Sequence, residues 1–212
     1  MRRVRNTPIQ TKPSFAIVVD GDCEVWYLQM LKRNERSIAI NIDPKIPHRK
    51  KLSEQYISVL NFSKVYTKVF WIIDFDVISN ETKKAKKGSK TILQEFENYI
   101  NDIKQNYENV IILVNNPCLK FWFLLHFEDT SRLFTNCIEV EKQLKKYLKN
   151  YEKTQKYYTK QDKDIYLVLK PKLRDALKNA KKLGQFNIKD SNKAMTEMQL
   201  FFETVEFGKL FI

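Results

Sequence analysis

Phe70-Trp71-Ile72-Ile73-Asp74-Phe75-Asp76 narrows the possible folds of this chain more than any other stretch. An apolar run the length of one buried strand stops at two acids one residue apart. Side chains alternate faces along a strand, so the reading places Asp74 and Asp76 on the same side of a strand's carboxyl end. Two carboxylates so placed repel each other unless a cation lies between them, and hard oxygen ligands suit Mg²⁺ or Mn²⁺. Strand ends of open α/β sheets are also where ligands bind. The plainer alternative is that the acids simply end a strand and face water.

The flanking segments extend this reading. Phe15–Val19, Ile38–Ile42 and Val110–Val114 are further strand-like runs, and Glu24–Arg33, Ser53–Phe62 and Ile92–Ile103 carry helical spacing between them. Alternation of strand and helix predicts an α/β fold, a mostly parallel sheet flanked by helices. Ser53 is the expected N-cap of the second helix. Val77–Lys90 is polar and reads as a long loop. The C-terminal part reads as helical decoration, with helices over Val140–Leu148, Leu167–Leu183 and Met195–Val205. The expected organisation is a basic arm over 1–13 and one domain over 14–212, divided into an α/β core (14–130) and a helical extension (131–212).

The balance of 38 Lys+Arg against 25 Asp+Glu leaves a net charge of +13, which points to a polyanionic partner: nucleic acid first, an anionic membrane second. Cys23, Cys118 and Cys137 are odd in number and widely spaced. They suit a reducing cytoplasm and argue against structural zinc. His48 and His126 are the only histidines, which excludes a His-rich metal site. No apolar run reaches membrane-spanning length and the N-terminus lacks the apolar segment of a secretion signal, so the expected location is cytoplasmic.

Acids also follow the first strand: Asp20, Asp22 and then Glu24 at the opening of a helix. In a parallel sheet the first and third strands end on one edge, so these groups can converge on Asp74 and Asp76. Clustered acids raise each other's pKa, and a bound Mg²⁺ removes that penalty while holding a phosphate oxygen and activating water. Gly21 fits the sharp turn between strand and helix. Lys83, Lys84, Lys86, Lys87 and Lys90 follow the second acidic strand and are the expected nucleic-acid contacts, each adding salt-sensitive affinity; a solvated loop is the alternative. Tyr151, Tyr157 and Tyr158 lie among lysines, where they either stack on unpaired bases or cover a partly buried surface. His126 reads as a core or capping histidine ahead of a catalytic one, and Phe121, Trp122 and Phe123 read as core. A haloacid-dehalogenase-type phosphatase needs a later acidic pair that Asn115-Asn116 does not supply. A chain with four glycines has no Gly-rich phosphate cradle.

Three segments carry a family resemblance. Ile17-Val18-Val19-Asp20-Gly21-Asp22-Cys23-Glu24 resembles the strand and Glu-Gly-x-Thr-Glu turn of the TOPRIM domain, and Ile72-Ile73-Asp74-Phe75-Asp76 resembles its Asp-x-Asp strand. Asn116-Pro117-Cys118-Leu119-Lys120-Phe121-Trp122-Phe123-Leu124-Leu125-His126-Phe127 is similar to the Asn-Pro-x-Phe-Glu-x-Trp-Leu-Leu-Leu-His-Phe signature of RloB-like proteins, TOPRIM-type proteins encoded beside ATPases in bacterial restriction and phage-defence loci. The resemblance implies a TOPRIM-like (Rossmann-like) core and Mg²⁺- or Mn²⁺-dependent cleavage of a phosphodiester in DNA or RNA. It further implies a role in abortive infection and an ATPase partner. Carried over by position, Asp20 is the general acid or base, Glu24 supports metal or water, and Asp20, Asp74 and Asp76 hold the ion. Two departures stand out. Asp20 replaces the family's Glu, one methylene shorter, and Lys120 replaces its Glu with the opposite charge. At a ligand position Lys120 would leave a nucleic-acid-binding subunit that does not cut; outside the metal shell it would contact the scissile phosphate as part of the catalytic set.

Overall fold

Strand β3, Lys68–Asp74, lies at the centre of the sheet and is buried along most of its length. The computed structural model describes residues 13–19, 21–36, 40–43, 50–86 and 88–204. The other strands are β1 (Phe15–Val18), β2 (Ile40–Asp43), β4 (Val110–Asn116) and β5 (Met195–Thr196), in spatial order β2-β1-β3-β4-β5. The first four are parallel; β5 runs antiparallel on Asn115 and Asn116 of β4. The α/β expectation therefore holds.

Both faces of the sheet are covered, which is why the strands read as solid apolar runs and not as alternating ones. Ile17, Phe70, Ile72 and Leu113 face helix α1 (Asp22–Asn34), α5 (Leu119–Leu125) and the C-terminal helices. Ala16, Val18, Val69, Trp71, Ile73 and Val114 face α2 (Leu52–Ser63), α3 (Phe75–Lys84) and α4 (Ile92–Asn106). The Trp71 indole N–H donates to Gln55 Oε1 of α2 at 2.9 Å, so the largest side chain of that layer leaves no buried donor unpaired.

Several sequence expectations are corrected. β3 ends at Asp74, and Phe75 already opens α3, so Asp76 lies in the first turn of a helix and not on the strand. The Val77–Lys90 segment is largely helical: Phe75 and Ile78 are buried three residues apart, and Lys83 and Lys84 form the last turn, where cations favour the carbonyl end of the dipole. Seven residues, 85–91, then separate α3 from α4. α2 is capped from Lys51 and not Ser53, with Glu54 accepting the Lys51 N–H.

The C-terminal portion is more than helical decoration, because it supplies β5. It contains α6 (Cys137–Leu144), α7 (Gln155–Tyr158), α8 (Ile165–Leu169), α9 (Leu173–Leu183) and α10 (Met198–Phe202). The expected Leu167–Leu183 helix is broken by a 3-10 turn at Lys170–Lys172, where Pro171 offers no N–H. The expected Met195–Val205 helix begins instead as β5. Among the described residues no helix is long and apolar enough to cross a membrane.

Candidate functional site

In the chain order β1, β2, β3, β4 the sheet grows from β1 to one side and then resumes on the other, so the crevice at the carboxyl ends of β1 and β3 is its topological switch point. A cleft of about 300 Å³ opens there, lined by Asp22, Glu24, Asp74, Asp76, Lys120 and Lys153 among others. Asp20 lies outside the described residues, as does Lys87.

Glu24 enters from the first turn of α1 and is only 4% exposed. Its carboxyl shares a hydrogen bond with that of Asp74. Burial raises the Glu24 pKa, against the opposing pull of its own backbone N–H, Asp74, Lys153 and Lys120. Gly21, the N-cap of α1, gives this carboxyl its room: a Cβ there would lie 2.5 Å from Glu24 Oε2.

Asp74 is oriented by the segment that follows β4. Its Oδ1 accepts the Leu119 backbone N–H at 2.9 Å and the Asn115 amide at 3.4 Å. Asn115 is in turn set by Thr196 of β5, whose hydroxyl donates to Asn115 Oδ1 at 2.6 Å. The Asn116–Pro117 bond is cis, and Pro117 O accepts the Asp76 N–H at 3.0 Å. The Asp76 carboxylate accepts the N–H groups of Cys137 and Val77, yet burial outweighs them and raises its pKa.

Lys120 is buried at the cleft wall and donates to Glu141 Oε2 at 2.6 Å, with Tyr151 packed against its ammonium. Burial opposes the charge on Glu141, but Lys120 and Lys145 together hold its pKa below the usual carboxylate value. The charge reversal at position 120 is thus offset inside the protein by Glu141.

Lys153 was not singled out by the sequence. It comes from the segment before α7 and lines the cleft with its side chain exposed. Partial desolvation at the cleft opposes its charge, but Cys23, Glu24, Asp22 and Asp74 raise its pKa. No local pattern marks it, since an isolated lysine in a lysine-rich segment carries no periodic signal.

The wide spacing of the cysteines in sequence does not reveal a crosslink. Cys118 and Cys137 form a disulfide across the cleft wall, because the starts of α5 and α6 meet there. Cys23 is free and buried, its thiol pushed up to about 12 by burial and by the adjacent Glu24.

The expected basic contacts are elsewhere. Lys83 and Lys84 lie at the far end of α3, about 14–15 Å along the helix axis from Asp74. Neither they nor Lys86 nor Lys90 lines the cleft. Tyr151 and Tyr158 are buried and bonded to each other through their hydroxyls, which leaves neither ring for base stacking. His126 is a core residue: its Nδ1–H donates to Trp122 O at 2.9 Å and its ring packs edge-on against Trp122.

Among the described residues no group of three or more His, Cys, Asp or Glu side chains is arranged to hold a metal ion. The donor chemistry nonetheless fits Mg²⁺. That ion is usually held by one or two carboxylates, with water and substrate phosphate completing its shell. Burial raises the pKa values of Glu24 and Asp76, so these acids are under-compensated without a cation.

Comparison with known proteins adds one match. The family model described as RloB-like protein matches residues 15–205. No curated protein and no solved structure matches the chain significantly.

Proposed function

We propose a function from a settled premise: the chain belongs to the RloB-like family. The reading is a Mg²⁺- or Mn²⁺-dependent nuclease that hydrolyses phosphodiesters of DNA or RNA. The observation that carries it is the Glu24–Asp74 carboxyl pair beside Asp76 in a cleft at the switch point of the sheet. Asp74 and Asp76, with Asp20, would hold the ion, which supplies charge neutralisation at the scissile phosphate and a more acidic water. Asp74 is held in place for this by Leu119 and Asn115. Glu24 is buried beside it with its pKa raised by that burial, which suits proton transfer to or from the reacting oxygen. Lys120 is neutralised by Glu141, so it does not fill the cleft with uncompensated positive charge; this supports cutting over a binding-only role. The family resemblance supports the setting, an anti-phage defence system of abortive-infection type in the cytoplasm with an ATPase of the same locus as partner.

The test is incubation of pure protein with labelled plasmid, single-stranded DNA and transfer RNA, in Mg²⁺ or Mn²⁺ and in EDTA, with and without the ATPase. Cleavage that needs metal and falls at least about a hundredfold in Asp74→Asn supports the reading. Cleavage unchanged in Asp74→Asn would point to a contaminant, and none under any condition would leave a nucleic-acid-binding subunit.

A further inference from the structure

The chain leaves the cleft at Cys137 and returns to it at Lys153. Both ends of this excursion are anchored. Cys137 is tied by its disulfide and by its N–H to Asp76, while Tyr151, two residues before Lys153, is buried against Lys120. The exposed surface between and just beyond these anchors is dominated by lysine: residues 142–163 carry eight lysines against two acids, Glu152 and Asp162. All eight are exposed, and among the described residues only Lys145 has an ion pair, with Glu141.

The opposite side of Asp74 has a different character. The cleft there is lined by Glu81 and Glu95 as well as Lys50 and Lys51, and Lys50 is already paired with Asp43. A polyanion running from the acids toward Lys83 and Lys84 would pass those carboxylates.

We infer that the nucleic-acid backbone is held by the cationic rim of residues 142–163, with Lys153 as its innermost contact, and not by the lysines that follow α3. The inference rests on the proposed reading only in taking nucleic acid as the partner. The rim is a surface for phosphates ahead of bases: Tyr151 and Tyr158 are buried, Tyr157 is half-buried with its ring edge-on to both, and Tyr147 has one face stacked on Phe127. Binding is therefore indifferent to sequence and strongly salt-dependent.

The experiment measures binding alone, in EDTA, by fluorescence anisotropy of labelled duplex DNA, single-stranded DNA and RNA over a salt series. It compares the wild-type chain with the variant K146A/K149A/K156A/K160A, which leaves the cleft residues untouched, and with K83A/K84A/K86A/K90A. The rim variant should bind about tenfold or more weakly at physiological salt, with the log–log salt slope reduced by about 3 to 4; the α3-end variant should stay within about twofold. Circular dichroism confirms that both variants are folded. Lys153→Gln should weaken binding further in the rim background. Equal binding by the rim variant, loss confined to the α3-end variant, or preference for anionic vesicles over every nucleic acid would overturn the inference. Because no cutting is involved, a protein that binds through the rim but never cleaves would sink the nuclease reading and leave this one standing.

Discussion

At position 21, the absence of a side chain is what lets Glu24 reach Asp74. A methyl group there would lie 2.5 Å from Glu24 Oε2, and Gly21 has extended backbone angles that alanine adopts without strain. Gly21→Ala should therefore leave the fold intact, with a melting temperature within a few degrees of wild type, while displacing the carboxyl and, on the proposed nuclease reading, lowering metal-dependent cleavage by about tenfold or more. A kinetic assay run beside a thermal melt separates the two effects. His126 tests the core. Burial lowers its pKa from 6.5 to about 4, so the folded protein keeps it neutral while the unfolded chain protonates first as pH falls. Its contribution is complete above pH 6.5 and is lost progressively as pH drops from 6.5 toward 4, by about 2 kcal/mol at pH 5. Glu24 and Asp76 have raised folded pKa values, so they act in the opposite sense and gain stability as pH falls. Comparing denaturant midpoints of wild type and His126→Phe at pH 7 and pH 5 isolates the histidine: the variant should lack that loss.

Among the elements, the segment from β4 into α5 sets the site's geometry. Its residues hold Asp74 by a backbone N–H, Asp74 again by an amide, and the Asp76 N–H by a prolyl carbonyl. The disulfide then joins the start of α5 to the start of α6, with a sequence separation of 19. Closing a loop of that length restricts the unfolded chain and stabilises by about 3 kcal/mol in the chain-entropy model. Reductant, or Cys137→Ser, should lower the melting temperature measurably; an unchanged melt would show that the crosslink contributes nothing to the fold. β5 plays a related part at the sheet edge. Glu197, which follows it, accepts the N–H groups of Val114 and Phe186 at 3.0 Å and 2.9 Å, and burial raises its pKa against both donors.

Over the whole molecule, a net charge of +13 surrounds an acidic cleft. Such a field draws a polyanion toward the surface, but acids would repel its phosphates at close range unless a cation and nearby lysines intervene. The C-terminal portion supplies those lysines, as well as Cys137 at the cleft wall and Thr196 behind Asn115. The acids come from the first half of the chain and much of their support from the second. Truncation near residue 130 would therefore remove site-forming residues together with core helices.

Sequence alone determined the parallel α/β frame, because strands buried on both faces must be continuously apolar and must alternate with helices that cover them. It also placed Glu24 just after the first strand and Asp74 at the end of the third, ends that share one edge as a consequence of parallel direction. The tertiary structure decided what local pattern cannot encode. Asp76 reaches the cleft from a helix because Phe75 and Ile78 are buried together; a strand-period reading of two acids is equally consistent with the letters. Cys118 finds Cys137, Lys120 finds Glu141, and Lys153 reaches the acids through contacts between segments distant in sequence. Such contacts depend on where whole helices pack, and no periodicity within either segment records them.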